Sequence, residues 1–127
     1  MPYQFQKHFT LEEARALLPE IRQWLEQIVQ FRKQLQHADE RLAEPLAAGA
    51  DCGGELVNRW VTTLAKLKDL LCEFQQREIQ IKDLERGLID FPAIIGGKEV
   101  FLCWEQDEDD IQYWHELSTG YAAREKL

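Results

Sequence analysis

The chain has little cysteine, little basic charge and no long apolar run. Its three cysteines, Cys52, Cys72 and Cys103, are scattered through 127 residues with no CxxC pair. That excludes a disulfide framework and fits buried thiols in a reducing compartment, so a cytoplasmic location is expected. Fifteen basic residues face 23 acidic ones, for a formal net charge of −8. Nucleic acid and anionic membrane surfaces both call for a basic face, so neither is an expected partner. No apolar stretch approaches the ~20 residues of a membrane span. The start, Met1-Pro2-Tyr3-Gln4, lacks the charged-then-apolar pattern of a secretory leader. Catalytic motifs of real specificity are also lacking: there is no HExxH and no phosphate loop, and nothing names a reaction.

What charge there is falls unevenly. Residues 1–87 carry 12 basic and 14 acidic side chains, whereas residues 88–127 carry 3 and 9. The last third also holds six of the thirteen aromatics. A small ligand or cation suits that piece better than a phosphate does. The length predicts a single domain over residues 1–127.

Two long amphipathic segments come first. Thr10 can cap a helix, with Glu13 three residues later completing a capping box. Helix one is predicted over residues 11–42, a rod of about 48 Å. Its seam is Ala14, Leu17, Ile21, Trp24, Ile28, Phe31, Leu35, Ala38 and Leu42, alternating three and four. Pro19 should kink it. Pro45, Gly49, Gly53 and Gly54 then mark a linker from Ala43 to Gly54. Helix two is predicted over residues 55–86, with Val57, Trp60, Leu64, Leu67, Leu71 and Phe74 as its seam and Gly87 as its stop. Glu78 interrupts that seam, either to fix register or to face the mouth of the hairpin beside Arg22 and Lys82. Joined by a dozen residues, the helices should fold back antiparallel. Leu18, Leu25, Val29, Val61, Leu70 and Ile79 widen the apolar faces beyond one seam. Self-association through the helices is therefore expected.

The period then changes from helical to alternating, and residues 88–116 predict a small sheet. Gly96-Gly97 is a two-residue hairpin signal between Leu88–Ile95 and Lys98–Glu105. In that register Ile89, Phe91, Ala93 and Ile95 share a face with Val100, Leu102 and Trp104, which should pack on the helices. Asp90 and Pro92 share the other face with Phe101 and Cys103. Pro92 lacks an N–H, which predicts an edge strand. Ile111 to Glu116 is a third strand of free register, so Trp114 and His115 can exchange faces. Residues 117–127 read as a tail containing Arg124. The fold class is α+β: a long antiparallel helical hairpin with a small C-terminal antiparallel β-sheet packed at its open end.

Candidate site residues concentrate in this last third. His115 has three readings: a packed histidine, a metal ligand with Asp90, Glu108 or Glu116, or a general acid–base. Asp90 sits in the apolar run Leu88-Ile89-Asp90-Phe91-Pro92. It either points outward, paired with Arg124 or Lys82, or faces a cleft with a raised pKa. Trp104 and Trp114 are walls of a small-molecule pocket or core residues, core being favoured for Trp104. Cys103 has no basic neighbour or helix start to activate it and reads as a buried, inert thiol. The run Glu105 to Asp110 lacks the glycine and ligand spacing of a calcium loop and reads as a solvated acidic turn.

These residues also carry a resemblance. Glu12-Glu13-Ala14, Lys82-Asp83-Leu84, the GLIDFPA stretch at Gly87–Ala93, VFLCW at Val100–Trp104 and YWHE at Tyr113–Glu116 resemble a bacterial and archaeal family catalogued as domain of unknown function 2203. The likeness runs from about Phe9 to Arg124. One departure is Asp107, which stands where the family tends to have the glycine of a Gly-Glu pair; Glu108 is retained. The resemblance lends a motif and implies no activity or cofactor. Two function classes follow from the residues. One is an oligomerising helical-hairpin interaction module. The other is a small-molecule or metal-binding protein, with hydrolytic chemistry as one option, whose site lies at the C-terminal sheet with Asp90, Trp104, Trp114, His115 and Arg124 as ligand-binding candidates and Asp90, Glu108 and His115 as metal candidates.

Overall fold

A computed structural model describes the backbone of residues 2–47 and 54–127, and the side chains of residues 2–38 and 54–127. The fold is α+β: two long helices packed together as an antiparallel hairpin, followed by a five-stranded antiparallel sheet. Helix α1 is Leu11–Ala47 and α2 is Gly54–Gln76. The strands are β1 Gln80–Asp83, β2 Leu88–Ile95, β3 Lys98–Glu105, β4 Tyr113–Glu116 and β5 Glu125–Lys126. They form a simple meander, each pairing with the next in sequence. The chain makes two compact units: Met1–Gln23 with Glu73–Leu127, and Trp24–Cys72. The first unit thus holds the sheet, the start of α1 and the end of α2. Of the linker expected from Ala43 to Gly54, residues 43–47 instead continue α1 beyond its predicted end at Leu42 and Gly54 opens α2, while residues 48–53, Cys52 among them, lie outside the described residues, as does the Leu42 side chain.

Helix α1 starts as its sequence dictates. The Thr10 hydroxyl accepts the Glu13 N–H at 3.1 Å, and the Glu13 carboxylate accepts the Thr10 N–H at 3.1 Å. This reciprocal capping satisfies two orphan donors of the first turn. The helix is continuous through Pro19 and Pro45. Ala14, Leu18, Ile21, Leu25 and Ile28 are buried along one face.

Helix α2 stops ten residues before the predicted end at Arg86. The Ile79 N–H bonds the Phe74 carbonyl at 3.0 Å and the Glu78 N–H bonds that of Gln75 at 3.0 Å. Between them Glu78 is left-handed, at φ 59°. This is a Schellman stop with glutamate where glycine is usual, and the buried Phe74 and Ile79 supply its apolar clasp. Glu78 is therefore neither a seam residue nor a partner of Arg22. Beyond it β1 replaces the predicted last turns of helix. The seam differs too. Leu56, Trp60, Thr63, Leu67, Leu70, Cys72 and Glu73 are the half-buried positions of α2 before the buried Phe74, while Val57, Leu64 and Leu71 lie exposed.

The β2–β3 register is the one a Gly96-Gly97 turn requires, with Ile89 opposite Trp104, Asp90 opposite Cys103 and Phe91 opposite Leu102. Both glycines have positive φ, 59° and 80°. Strand β2 is interior rather than an edge, which corrects the expectation from Pro92. Its pairing with β1 ends at Asp90, and the Pro92 carbonyl instead accepts the Phe9 N–H at 2.7 Å. A residue's N–H and C=O leave a strand on the same side, so the missing donor of Pro92 falls where no strand needs it. The expected tail contains a short 3-10 turn, Tyr121–Ala123, and then β5, which pairs with Tyr113 and Trp114.

Gly87 closes the β1–β2 turn at φ 64°, and a Cβ there would lie 2.5 Å from the Gln106 Cβ. Gly97 has open space around it. Gly87→Ala is expected to cost about 2–3 kcal/mol in urea unfolding and Gly97→Ala about 1 kcal/mol, since only the first adds a clash to backbone strain.

Candidate functional site

The sheet has two faces, and the hairpin register assigns residues to them. Ile89, Phe91, Ala93, Val100, Leu102 and Trp104 are buried on one face. The start of α1 lies against it: Phe9 packs edge-on to Phe91, and the Arg22 guanidinium stacks 4.9 Å from the Trp104 ring. Trp114, opposite Leu102, belongs to this face and is half-buried. Trp104 is fully buried and donates its indole N–H to the Glu108 carbonyl at 3.0 Å. Both tryptophans are thus on the face opposite Asp90.

The other face carries Asp90, Phe101, Cys103 and, through the pairing of Phe101 with His115, the β4 histidine. Asp90 is 1 % exposed and His115 is 2 % exposed. His115 Nε2 lies 2.9 Å from Asp90 Oδ2, and His115 Nδ1 lies 2.8 Å from the Glu116 carbonyl. A carbonyl only accepts, so Nδ1 carries a proton and donates it. The Nε2–Oδ2 contact then needs one further proton, on the imidazole or on the carboxyl. Cys103 adds its thiol, and one ligand atom from each of Asp90, Cys103 and His115 lies within 4.8 Å of the others. Asp90 Oδ1 is buried without a hydrogen-bond partner.

Burial dominates the electrostatics. It pushes the Asp90 carboxyl above the ordinary carboxylate range, against the opposing pull of His115, Cys103 and Lys82. It also pushes the Cys103 thiol up to about 12, assisted by the neighbouring Asp90. The thiol is therefore no nucleophile by itself, although Arg124, a basic neighbour that the local sequence does not show, pulls the other way.

Arg124 and Glu108 form a separate arrangement beside this cluster. Arg124 Nη1 donates to both Glu108 carboxylate oxygens at 3.0 and 3.1 Å. Its guanidinium stacks between Tyr113 and Tyr121, 4.2 and 4.0 Å from their rings. Glu108 also accepts the Glu105 N–H at 2.8 Å, and Arg22 donates to the Gln106 and Glu108 carbonyls at 2.9 Å each. With Arg15 on Asp110 at 3.0 Å and Arg86 on Glu105 at 2.9 Å, four arginines hold the acidic turn, while Asp107 and Asp109 remain exposed.

An N-terminal segment lies on the Asp90 face. Phe5 meets Phe101 edge-on at 5.4 Å, and the Lys82 ammonium sits 4.9 Å from the same ring. Glu99 holds the segment by accepting the Gln4 and Phe5 N–H groups at 2.8 and 3.0 Å and by meeting His8 Nε2 at 2.6 Å. Glu78 accepts the N–H groups of Gln6 and Lys7 at 3.0 and 2.7 Å. Sequence reasoning missed this strap, because no periodicity marks residues 2–9. It also left Cys103 out of the site, although the glycine turn already placed that residue opposite Asp90. The second unit contains a cavity of about 750 Å³ lined by Leu35, Ala38, Leu56, Trp60 and Thr63, among others, and by none of the sequence candidates.

Two outcomes follow from this geometry. Because the folded pKa of Asp90 is raised, its contribution to stability declines as pH rises from about 4 toward that raised value. In chelator-treated protein, Asp90→Asn keeps a hydrogen bond to Nε2 and is expected to match or exceed wild-type stability at pH 7 in urea titrations. His115→Ala removes the 2.9 Å partner of Asp90 Oδ2 and opens a cavity beside it, and is expected to cost about 2–4 kcal/mol. Glu99 behaves oppositely. Burial raises its pKa, but the His8, Phe5 and Gln4 hydrogen bonds outweigh that and lower it. Its support for the strap is thus complete at neutral pH and is lost as pH falls below about 4. Glu99→Ala is expected to free the strap at pH 7, seen as loss of the dispersed Gln4 and Phe5 amide resonances.

No helix among the described residues is long and apolar enough to cross a membrane. No curated protein and no solved structure matches the chain. The model of an uncharacterised conserved protein family, DUF2203, matches residues 7–127. That span contains the GLIDFPA, LCW and YWHE stretches that build both faces of the sheet, and the chain belongs to this family.

Proposed function

We propose that this chain is a helical interaction module that pairs with a second copy of itself through α2. The observation that carries the reading is an apolar stripe left exposed on that helix: Val57 at 43 %, Val61 at 52 %, Leu64 at 42 % and Leu71 at 40 %. Their spacing follows a heptad rather than a scatter, which is the pattern of a helix seam.

The stripe is close to palindromic about Leu64. In an antiparallel two-fold pair centred there, Leu64 meets its own copy and Val57 meets Leu71. Arg59 falls opposite Asp69. Such self-matching is what a two-fold interface requires. Charge does not oppose it locally. Although the chain carries −8, α2 contains three basic residues, Arg59, Lys66 and Lys68, and three acidic ones, Glu55, Asp69 and Glu73. Covering a half-exposed aliphatic side chain is worth about 1 kcal/mol, so eight of them give about 8 kcal/mol, the same order as the cost of association. The pairing should therefore depend on concentration rather than be permanent.

Sedimentation velocity from low to high micromolar concentration tests this. Wild-type protein is expected to pass from monomer to dimer. The double variant Val61→Glu, Leu64→Glu places like charges at the centre of the pair. It is expected to keep its helical circular dichroism and to weaken dimerisation at least about 100-fold. A wild type that stays monomeric throughout, or a double variant that dimerises as well as wild type, overturns the reading.

A further inference from the structure

We infer that Asp90, Cys103 and His115 form a binding site for one divalent cation of borderline softness, with zinc the best match to an oxygen, nitrogen and sulfur donor set. The geometry comes first. One ligand atom from each residue lies within 4.8 Å of the others, and all three residues are buried. A tetrahedral zinc, with bonds of about 2.0 Å to nitrogen or oxygen and about 2.3 Å to sulfur, sets its ligand atoms roughly 3.3–3.6 Å apart. The widest separations need to shorten by about 1 Å while the 2.9 Å His115–Asp90 contact opens slightly, which is within reach of small side-chain rotations.

The second observation is the Asp90 Oδ1 atom, which is buried with no hydrogen-bond partner. A buried carboxylate oxygen without a donor is costly, and an ion supplies the missing charge. The imidazole is already oriented for the task. Its Nδ1–H is spent on the Glu116 carbonyl at 2.8 Å, so the Nε2 lone pair is turned toward Asp90 and away from the backbone. Proteins commonly hold metal-binding histidines by such a bond through the other ring nitrogen.

Charge balance also favours a dication. The Asp90–His115 contact holds one proton and the Cys103 thiol holds another. A dication that enters displaces both to solvent. It then meets a carboxylate and a thiolate, two negative charges against two positive ones, with a neutral imidazole as third ligand. The interior therefore carries no more net charge after binding than before it, and the usual penalty of an unbalanced buried charge does not arise. The cations nearby are Lys82 of β1, which acts on Asp90, and Arg124, which acts on Cys103 and is itself paired with Glu108.

Among the described residues no fourth histidine, cysteine or carboxylate joins the cluster. Three protein ligands leave one position for water or a small anion. That is the pattern of a zinc acting as a Lewis acid, whereas structural zinc is closed by four side chains. The strap across Phe101 would govern how ions and small ligands reach this position.

The test uses the untagged full chain after chelator treatment, equilibrated with cobalt(II) or zinc(II) both as folded protein and during refolding from urea. Expected are one cobalt per chain, a sulfur-to-cobalt charge-transfer band, visible bands of four-coordinate intensity displaced by zinc, and two protons released per ion into weakly buffered solution. Cys103→Ser is expected to remove the charge-transfer band and to weaken zinc binding at least about 100-fold. Asp90→Asn, which keeps the shape of the side chain, should weaken binding about 10-fold or more with native circular dichroism. Affinity unchanged by Cys103→Ser would assign the ion to surface carboxylates and overturn the inference. So would the lack of one-to-one binding in both preparations.

Discussion

A two-residue turn leaves a β-hairpin no freedom of register, and the arrangement of the sheet depends on that constraint at Gly96-Gly97. Both residues take positive φ, 59° and 80°, a conformation that costs glycine almost nothing. Once Ile95 faces Lys98, Asp90 must face Cys103 and Ile89 must face Trp104. A slip of one residue would exchange the faces, burying the apolar set where the polar trio now lies. The turn lies beyond the buried core, yet it decides which residues form that core.

Because the turn is local, its consequences were legible in the sequence. The apolar face, the pairing of Asp90 with Cys103 and the capping box at Thr10 all follow from neighbours a few residues apart. The placement of His115 could not be read the same way. Five residues separate Glu105 from Ile111, and a turn of that length fixes no register. What fixes it is Arg22 on α1 and Arg124 near the C-terminus, which grip the turn through the Gln106 and Glu108 carbonyls and the Glu108 carboxylate. Those partners lie 84, 86 and 16 residues away in sequence. No window short enough to show a period contains the Arg22 contacts, and the Arg124 contact follows no periodic pattern.

Glu78 shows the opposite failure, a local signal that misleads. A glutamate continues a helix readily, and glycine at position 87 looked like the stop. The chain instead turns at Glu78 in a left-handed conformation that costs a non-glycine residue roughly 1–2 kcal/mol. The compensation is distant. The Glu78 carboxylate collects two backbone N–H groups of the strap, and two such charge-assisted bonds together offset strain of that order. Glycine would end the helix more cheaply and leave the strap untied. The same residue thus terminates α2, frees residues 80–83 to become β1 and anchors the segment that lies over the Asp90 face.

The strap bears on why the polar trio is dry. Strand β2 is buried at six consecutive residues, Leu88 to Ala93, so both of its faces are covered. A simple two-layer α+β fold would leave one sheet face in water, where Asp90 and His115 would be ordinary solvated groups. Covering that face with the strap carrying Phe5, and flanking it with the Tyr113–Arg124–Tyr121 stack, raises the Asp90 and Cys103 pKa values by desolvation. Stability alone does not require this. Apolar residues at positions 90 and 115 would fill the same space without an orphaned oxygen. A fold that spends a strap, a strained helix stop and a buried acid on one small volume keeps that volume out of solvent. In such a place an ion or ligand would meet groups undiluted by water, so the polar trio is better explained by what it can hold than by what it contributes to folding.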